Sequence, residues 1–135
     1  MRRPSPGTVI ATLAVFVAVG GTAVAVDDRT SKVQAHKLEL KNGWLKYGGD
    51  SLPPRYFKVG DVVYLEGAMY NGTTGVTALR LPSGARPAGE VRFAVPSGPG
   101  TYEELVITEN GSGIVEDYGD PNGYVGLDGI TFRAG

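Results

Sequence analysis

The chain has 135 residues, 13 Lys+Arg against 14 Asp+Glu, and no cysteine. The length suits one domain, and the missing thiols exclude disulfides, Cys–His catalysis and thiolate metal sites. Arg2 and Arg3 precede a sharp change of composition near residue 26, so the remaining 11 basic side chains face 14 acidic ones from Val26 on, a balance that argues against nucleic acid, which needs an excess of cations, and gives no basic handle for anionic lipid.

In chain order, Arg2 and Arg3 form a positive start and residues 8–19 are an apolar run. Gly20 and Gly21 break that run, and Ala23, Val24 and Ala25 have the small-x-small form read by signal peptidase. Residues 1–25 therefore read as a signal peptide. The competing reading is an uncleaved anchor helix through residues 8–26, close to the roughly 20 residues that span a bilayer, with positive charge before it and Asp27 and Asp28 after it. Either way the rest of the chain is expected outside the cytoplasm, secreted or at the cell surface, with membrane contact only through this segment. Residues 26–37 are polar and read as a linker.

From Leu38 to Gly135, short apolar alternations are separated by turn residues. Residues 38–41 and 44–47 alternate around Asn42 and Gly43. Residues 56–59 and 62–70 flank Gly60 and Asp61, which predicts a hairpin with a two-residue loop. Residues 76–81 end at Pro82, and residues 91–95 end at a Pro/Gly cluster. Residues 102–108 and 113–116 flank Asn110 and Gly111, the type I′ dipeptide, and residues 124–132 close the chain. About eight short strands at regular spacing, with hardly any helical period, predict an all-β antiparallel sandwich or jelly roll over residues 38–135. The 21 glycines and nine prolines show no collagen period and read as turn markers.

The chemistry available is sparse. His36 is the only histidine, and it falls in the linker, so a Ser-His-Asp triad would have to recruit it from outside the domain. Glu103 and Glu104 are neighbours on a strand and point to opposite faces. Glu116, Asp117, Asp120 and Asp128 form a better acidic group, because two carboxylates about 5–10 Å apart can cleave a glycosidic bond. A solvated acidic loop is the plainer account of them. Residues 117–123 are rich in oxygen ligands but do not follow the EF-hand order. No metal and no cofactor is expected.

Aromatic side chains are the more promising group. Trp44 and the tyrosines lie at predicted strand ends, where rings stack on sugars and hydroxyls anchor hydrogen bonds at wet surfaces. Core and interface packing is the plainer account of any one of them. Tyr118 and Tyr124, flanking the acidic loop, are the ligand-contact candidates, together with Asp117, Asp120 and Asn122. Asn71-Gly72-Thr73 and Asn110-Gly111-Ser112 match the glycosylation pattern but are explained as turns.

The order of several motifs carries a resemblance. Leu40-Lys41-Asn42-Gly43-Trp44 is followed by Tyr56-Phe57-Lys58, by Val62 to Gly67 and by Leu81-Pro82-Ser83-Gly84-Ala85-Arg86-Pro87. Val106 and Ile107 then precede Asn110-Gly111, and Leu127-Asp128-Gly129-Ile130-Thr131-Phe132 ends the series. This order resembles the C-terminal module of phage tail-fibre and receptor-binding proteins over about residues 38–134. The resemblance implies a β-sandwich head, often trimeric, that binds cell-surface saccharide or caps a fibre, and no saccharide-site motif is matched. The first 25 residues resemble the openings of small exported proteins of high-GC Gram-positive bacteria. The expectation is thus an exported, non-catalytic recognition module for cell-surface or cell-wall glycan, as a homo-oligomer and a trimer if it follows the family. The alternatives are a structural oligomerisation module without ligand and a carbohydrate-active hydrolase.

Overall fold

In the computed structural model, which describes residues 33–116 and 123–135, the alternating segments become short antiparallel strands. The expected signal or anchor segment lies outside the described residues, as does most of the expected linker. The strands are β1 (His36–Lys37), β2 (Glu39–Leu40), β3 (Leu45–Lys46), β4 (Arg55–Val59), β5 (Val62–Glu66) and β6 (Ala68–Tyr70). They continue as β7 (Thr77–Arg80), β8 (Val91–Gly98), β9 (Thr101–Ile107), β10 (Ser112–Glu116), β11 (Val125–Gly126) and β12 (Thr131–Arg133). The first strand thus begins at His36, ahead of the expected domain start at Leu38, and Gln34–Gly135 forms one compact unit.

A five-stranded sheet has the order β2-β7-β10-β9-β8, a four-stranded sheet β12-β5-β4-β1, and a three-stranded sheet β11-β6-β3. Period-2 burial is clear on β5, and β9 follows it with Val106 buried as well. On β9, Glu103, Leu105 and Ile107 are buried, and on β5, Val63 and Leu65 are. One hydrophobic core joins side chains of all three sheets, including Leu79 and Leu105 from the first, Val63 and Phe132 from the second, and Met69 and Val125 from the third. Phe93 on β8 meets Phe132 on β12 with ring centroids 6.4 Å apart, directly bridging two sheets. This is an antiparallel β-sandwich whose sheets share one hydrophobic core.

The Gly60–Asp61 hairpin forms as expected, with Val59 opposite Val62 and Gly60 at φ 61. Residues 62–70, expected as one strand, are two. Gly67 adopts φ +100, and a Cβ there would collide with the carbonyl oxygen of Pro53. The chain leaves the β4 sheet after Glu66 and joins the β3 sheet at Ala68. Residues 124–132 divide in the same way: Ile130 N donates to Leu127 O at 3.3 Å and Gly129 takes φ 86, so β11 and β12 fall in different sheets.

The two Asn-Gly dipeptides behave differently. Asn42 (φ 55) and Gly43 (φ 87) both adopt positive φ and Trp44 N donates to Lys41 O, which is type I′ geometry. Asn110 does not adopt positive φ; only Gly111 does, at φ 90. Gly111 N donates to Thr108 O at 2.9 Å, so Glu109 and Asn110 are the centre of a type I turn and Gly111 makes the bulge of a three-residue loop. The type I′ expectation at Asn110 is thereby corrected. Its cause is visible: Asn110 Oδ1 accepts from Thr108 Oγ1 at 2.5 Å and from Ser112 N at 3.2 Å, which holds the wider loop.

Candidate functional site

Of the ligand candidates read from sequence, Asp117, Tyr118, Asp120 and Asn122 lie outside the described residues. Tyr124 is described, half-buried just before β11. The fold brings it two partners. The ring of Tyr47 lies 5.2 Å from that of Tyr124, tilted by 42°, and 5.6 Å from that of Tyr70 in an edge-on contact at 79°. Register explains the meeting. Leu45 pairs with Tyr70 and Val125 with Met69, so the residue after β3, the last residue of β6 and the residue before β11 come together across one small sheet.

Tyr47 and Tyr70 are offered to solvent rather than committed to the core. Tyr47 is 44% exposed and Tyr70 36%. Tyr47 and Tyr70 also line an open cleft of about 560 Å³ with Gly48, Gly49, Asp50 and Ser51. A Cβ on Gly48 or Gly49 would meet nothing within 4 Å, so that loop leaves the cleft open. Tyr124 lines a second hollow of about 200 Å³, with Trp44, Asn71, Gly72, Gly123 and Val125. A ridge of three tyrosines therefore runs between two neighbouring depressions.

Trp44, the other ring considered for stacking on a ligand, is only 5% exposed. Gly72 lies flat against its indole, where an added Cβ would overlap the ring, and its Nε1 donates to Thr73 O at 3.0 Å. It is a core residue that props the floor of the smaller hollow. Tyr64 stacks on Phe57 with centroids 4.9 Å apart, and Tyr56 stacks on His36 at 5.2 Å. Those rings, and the single histidine with them, are occupied on the other sheet.

Asp117 and Asp120 of the expected acidic group lie outside the described residues, and the described carboxylates have separate surroundings. Glu103 is buried and Glu104 faces out, where Arg92 contacts it at 3.0 Å, so the two point to opposite faces as expected. Asp128 Oδ1 accepts from Gly67 N at 2.8 Å and supports the backbone kink there. Among the described residues that line the cleft, Asp50 alone carries charge. Tyr47 and Tyr70 were not separable by sequence from the other tyrosines. The available signal was their position: each ends a strand candidate just before a glycine-containing turn.

No protein-family model matches the chain, and no curated protein matches it. The fold is similar to the crystal structure of the receptor binding protein (gp15) of Listeria phage PSA, at 21% sequence identity and a TM-score of 0.61. The likeness covers 78% of this chain and 67% of that one. The sandwich is therefore of a kind found in a phage receptor-binding protein, in line with the motif order read from the sequence.

Proposed function

We propose that this chain is a non-catalytic recognition module that binds a saccharide polymer at a cell surface. The observation that carries the reading is the cluster of exposed Tyr47 and Tyr70 with half-buried Tyr124, which lines two depressions. Aromatic faces stack on the apolar faces of sugar rings, and phenol hydroxyls supply hydrogen bonds at a wet rim. Two adjoining hollows suit neighbouring units of a chain better than a single small molecule. The fold likeness to a phage receptor-binding protein supports the same reading, and the signal-like residues 1–25 would carry the module out of the cell, where such polymers are.

Pull-down of the full chain by purified cell-wall polysaccharides, beside a glycan array, tests this. Tyr47→Ala and Tyr124→Ala should lose binding with little change in melting temperature. Tyr102→Ala, at a 66% exposed position outside the cluster, should keep it. Failure of the unaltered chain to bind any surface polymer would sink the proposal.

A second reading, self-association, is favoured by a different groove. Leu38, Leu40, Leu45, Pro53 and Pro54 line a furrow of about 290 Å³ beside edge strands β1, β2 and β3, and Leu45 is 51% exposed. Exposed apolar edges invite pairing. Sedimentation of the full chain should show an oligomer that Leu45→Arg dissociates. A monomer at high concentration would remove this reading.

A further inference from the structure

We infer that the cleft between Tyr47, Tyr70 and Asp50 takes an organic ammonium group, carried by the polymer that the module recognises. The inference rests on the recognition reading of this face and names the chemistry of one subsite on it.

Three features of the cleft point the same way. The rings of Tyr47 and Tyr70 stand at 79° to one another with centroids 5.6 Å apart, so they form two walls of a corner. The face of an aromatic ring is the negative pole of its quadrupole, and a cation within about 6 Å of the centroid is attracted to it. Asp50 lines the same cleft and is the charged residue among its described lining. Among the described residues, no hydrogen bond or ion pair engages the Asp50 carboxylate. Lys46, the nearest basic residue in sequence, lines the separate furrow and not this cleft. Gly48 and Gly49 keep the third side open, with free space where side chains would stand.

An anion or a neutral sugar would gain little from a carboxylate that no described residue engages at this rim. An ammonium group gains from both rings and from the charge. Primary amines of amino sugars or aminoacyl esters and quaternary amines of choline type share this chemistry, and size alone separates them.

Saturation-transfer and chemical-shift NMR of the full chain, titrated with choline, with D-glucosamine and with their neutral counterparts 3,3-dimethylbutanol and N-acetylglucosamine, tests the inference. At least one cation should bind and shift the Tyr47 and Tyr70 ring signals, and its neutral counterpart should bind at least fivefold more weakly. Asp50→Asn should weaken the cation by about three- to fivefold and remove its sensitivity to added salt. Tyr70→Leu should weaken it about two- to fivefold, and Tyr70→Phe should not. Binding of choline alone assigns a quaternary group, and of glucosamine alone a primary one. Equal affinity for cation and neutral counterpart, an unaltered affinity in Asp50→Asn, or no binding of either cation overturns the inference. Polymer pull-down on the same samples separates the two claims. Tyrosine-dependent polymer binding without cation binding defeats this inference alone, and cation binding without polymer binding defeats the saccharide reading alone.

Discussion

The amide of Gly67 donates to Asp128 Oδ1 at 2.8 Å across 61 positions of sequence. The carbonyl of Gly67 accepts from Leu127 N at 2.8 Å, so one short loop holds both sides of the same glycine. At that point the strand that began in the hairpin with β4 passes into the sheet that carries Tyr70. The tyrosine face is thus positioned by a backbone kink that a distant carboxylate holds in place.

Gly67→Ala should therefore be among the most damaging small substitutions. It forces a side chain into φ +100 and against the carbonyls of Leu52 and Pro53. Strain of that kind costs roughly 1–3 kcal/mol from the dihedral alone, and the backbone clash adds to it. Asp128→Ala should cost about 1–2 kcal/mol by leaving the Gly67 amide without its partner, and Asp128→Asn less, because it keeps an acceptor. Urea unfolding of the full chain measures all three. Equal stability of Gly67→Ala and the unaltered chain would refute the account of the kink.

Gly72→Ala should report on Trp44, the only tryptophan in the chain. A methyl there overlaps the indole, so either the loop lifts or the ring turns out. Overpacking of this type costs about 1–3 kcal/mol. Because the indole is buried and its Nε1 is bonded to Thr73 O, the fluorescence maximum should move to the red. An unshifted spectrum at unchanged stability would mean that the loop does not cover Trp44.

How far the sequence could be read depends on how local each constraint is. The Gly60–Asp61 hairpin was legible because a two-residue loop between alternating runs admits one register, Val59 against Val62. The turn before Trp44 was legible because Asn42 and Gly43 both tolerate positive φ. Gly67 was not, since a glycine inside an apolar run reads alike whether the strand continues or changes sheet. What decides it is the position of Pro53 and Asp128, far away in sequence. The tyrosine cluster was hidden for the same reason. Tyr47 and Tyr70 share only a place at the end of a strand candidate, and the pairings of β3, β6 and β11 are what show that their rings meet.

Asp61 and Arg133 tie the β4–β5 turn to the last strand, with Nη2 of the arginine 2.6 Å from Oδ2. The hydrogen bond from the Arg133 guanidinium, and next its charge, hold the Asp61 carboxyl below its ordinary value. A carboxyl depressed on folding stabilises the native state above the unfolded aspartate pKa. That contribution is lost as pH falls through the lower, folded value. Both groups are exposed, so the effect on stability is small and salt-screened. NMR titration should find Asp61 protonating at more acidic pH than an ordinary aspartate, and Arg133→Gln should move it upward. No movement in that variant would show that the pair does not form in solution.

Phe93 and Phe132 supply a test of how the sandwich supports its tyrosine face. Phe132 is buried on β12 and pairs through its backbone with Val63 of β5, whose chain runs on through Gly67 to Tyr70. Phe132→Ala should cost about 3–5 kcal/mol. Phe93 is only half-buried, so Phe93→Ala should cost less. Their ring contact should appear as a coupling of about 0.5–1.5 kcal/mol in a double-mutant cycle. Phe132→Leu keeps most of the volume, so the face should survive: melting falls, while ligand affinity measured well below the transition stays the same. Loss of affinity in a still-folded Phe132→Leu protein would mean that the two layers communicate, and that the tyrosine face is not set by the local kink and register alone.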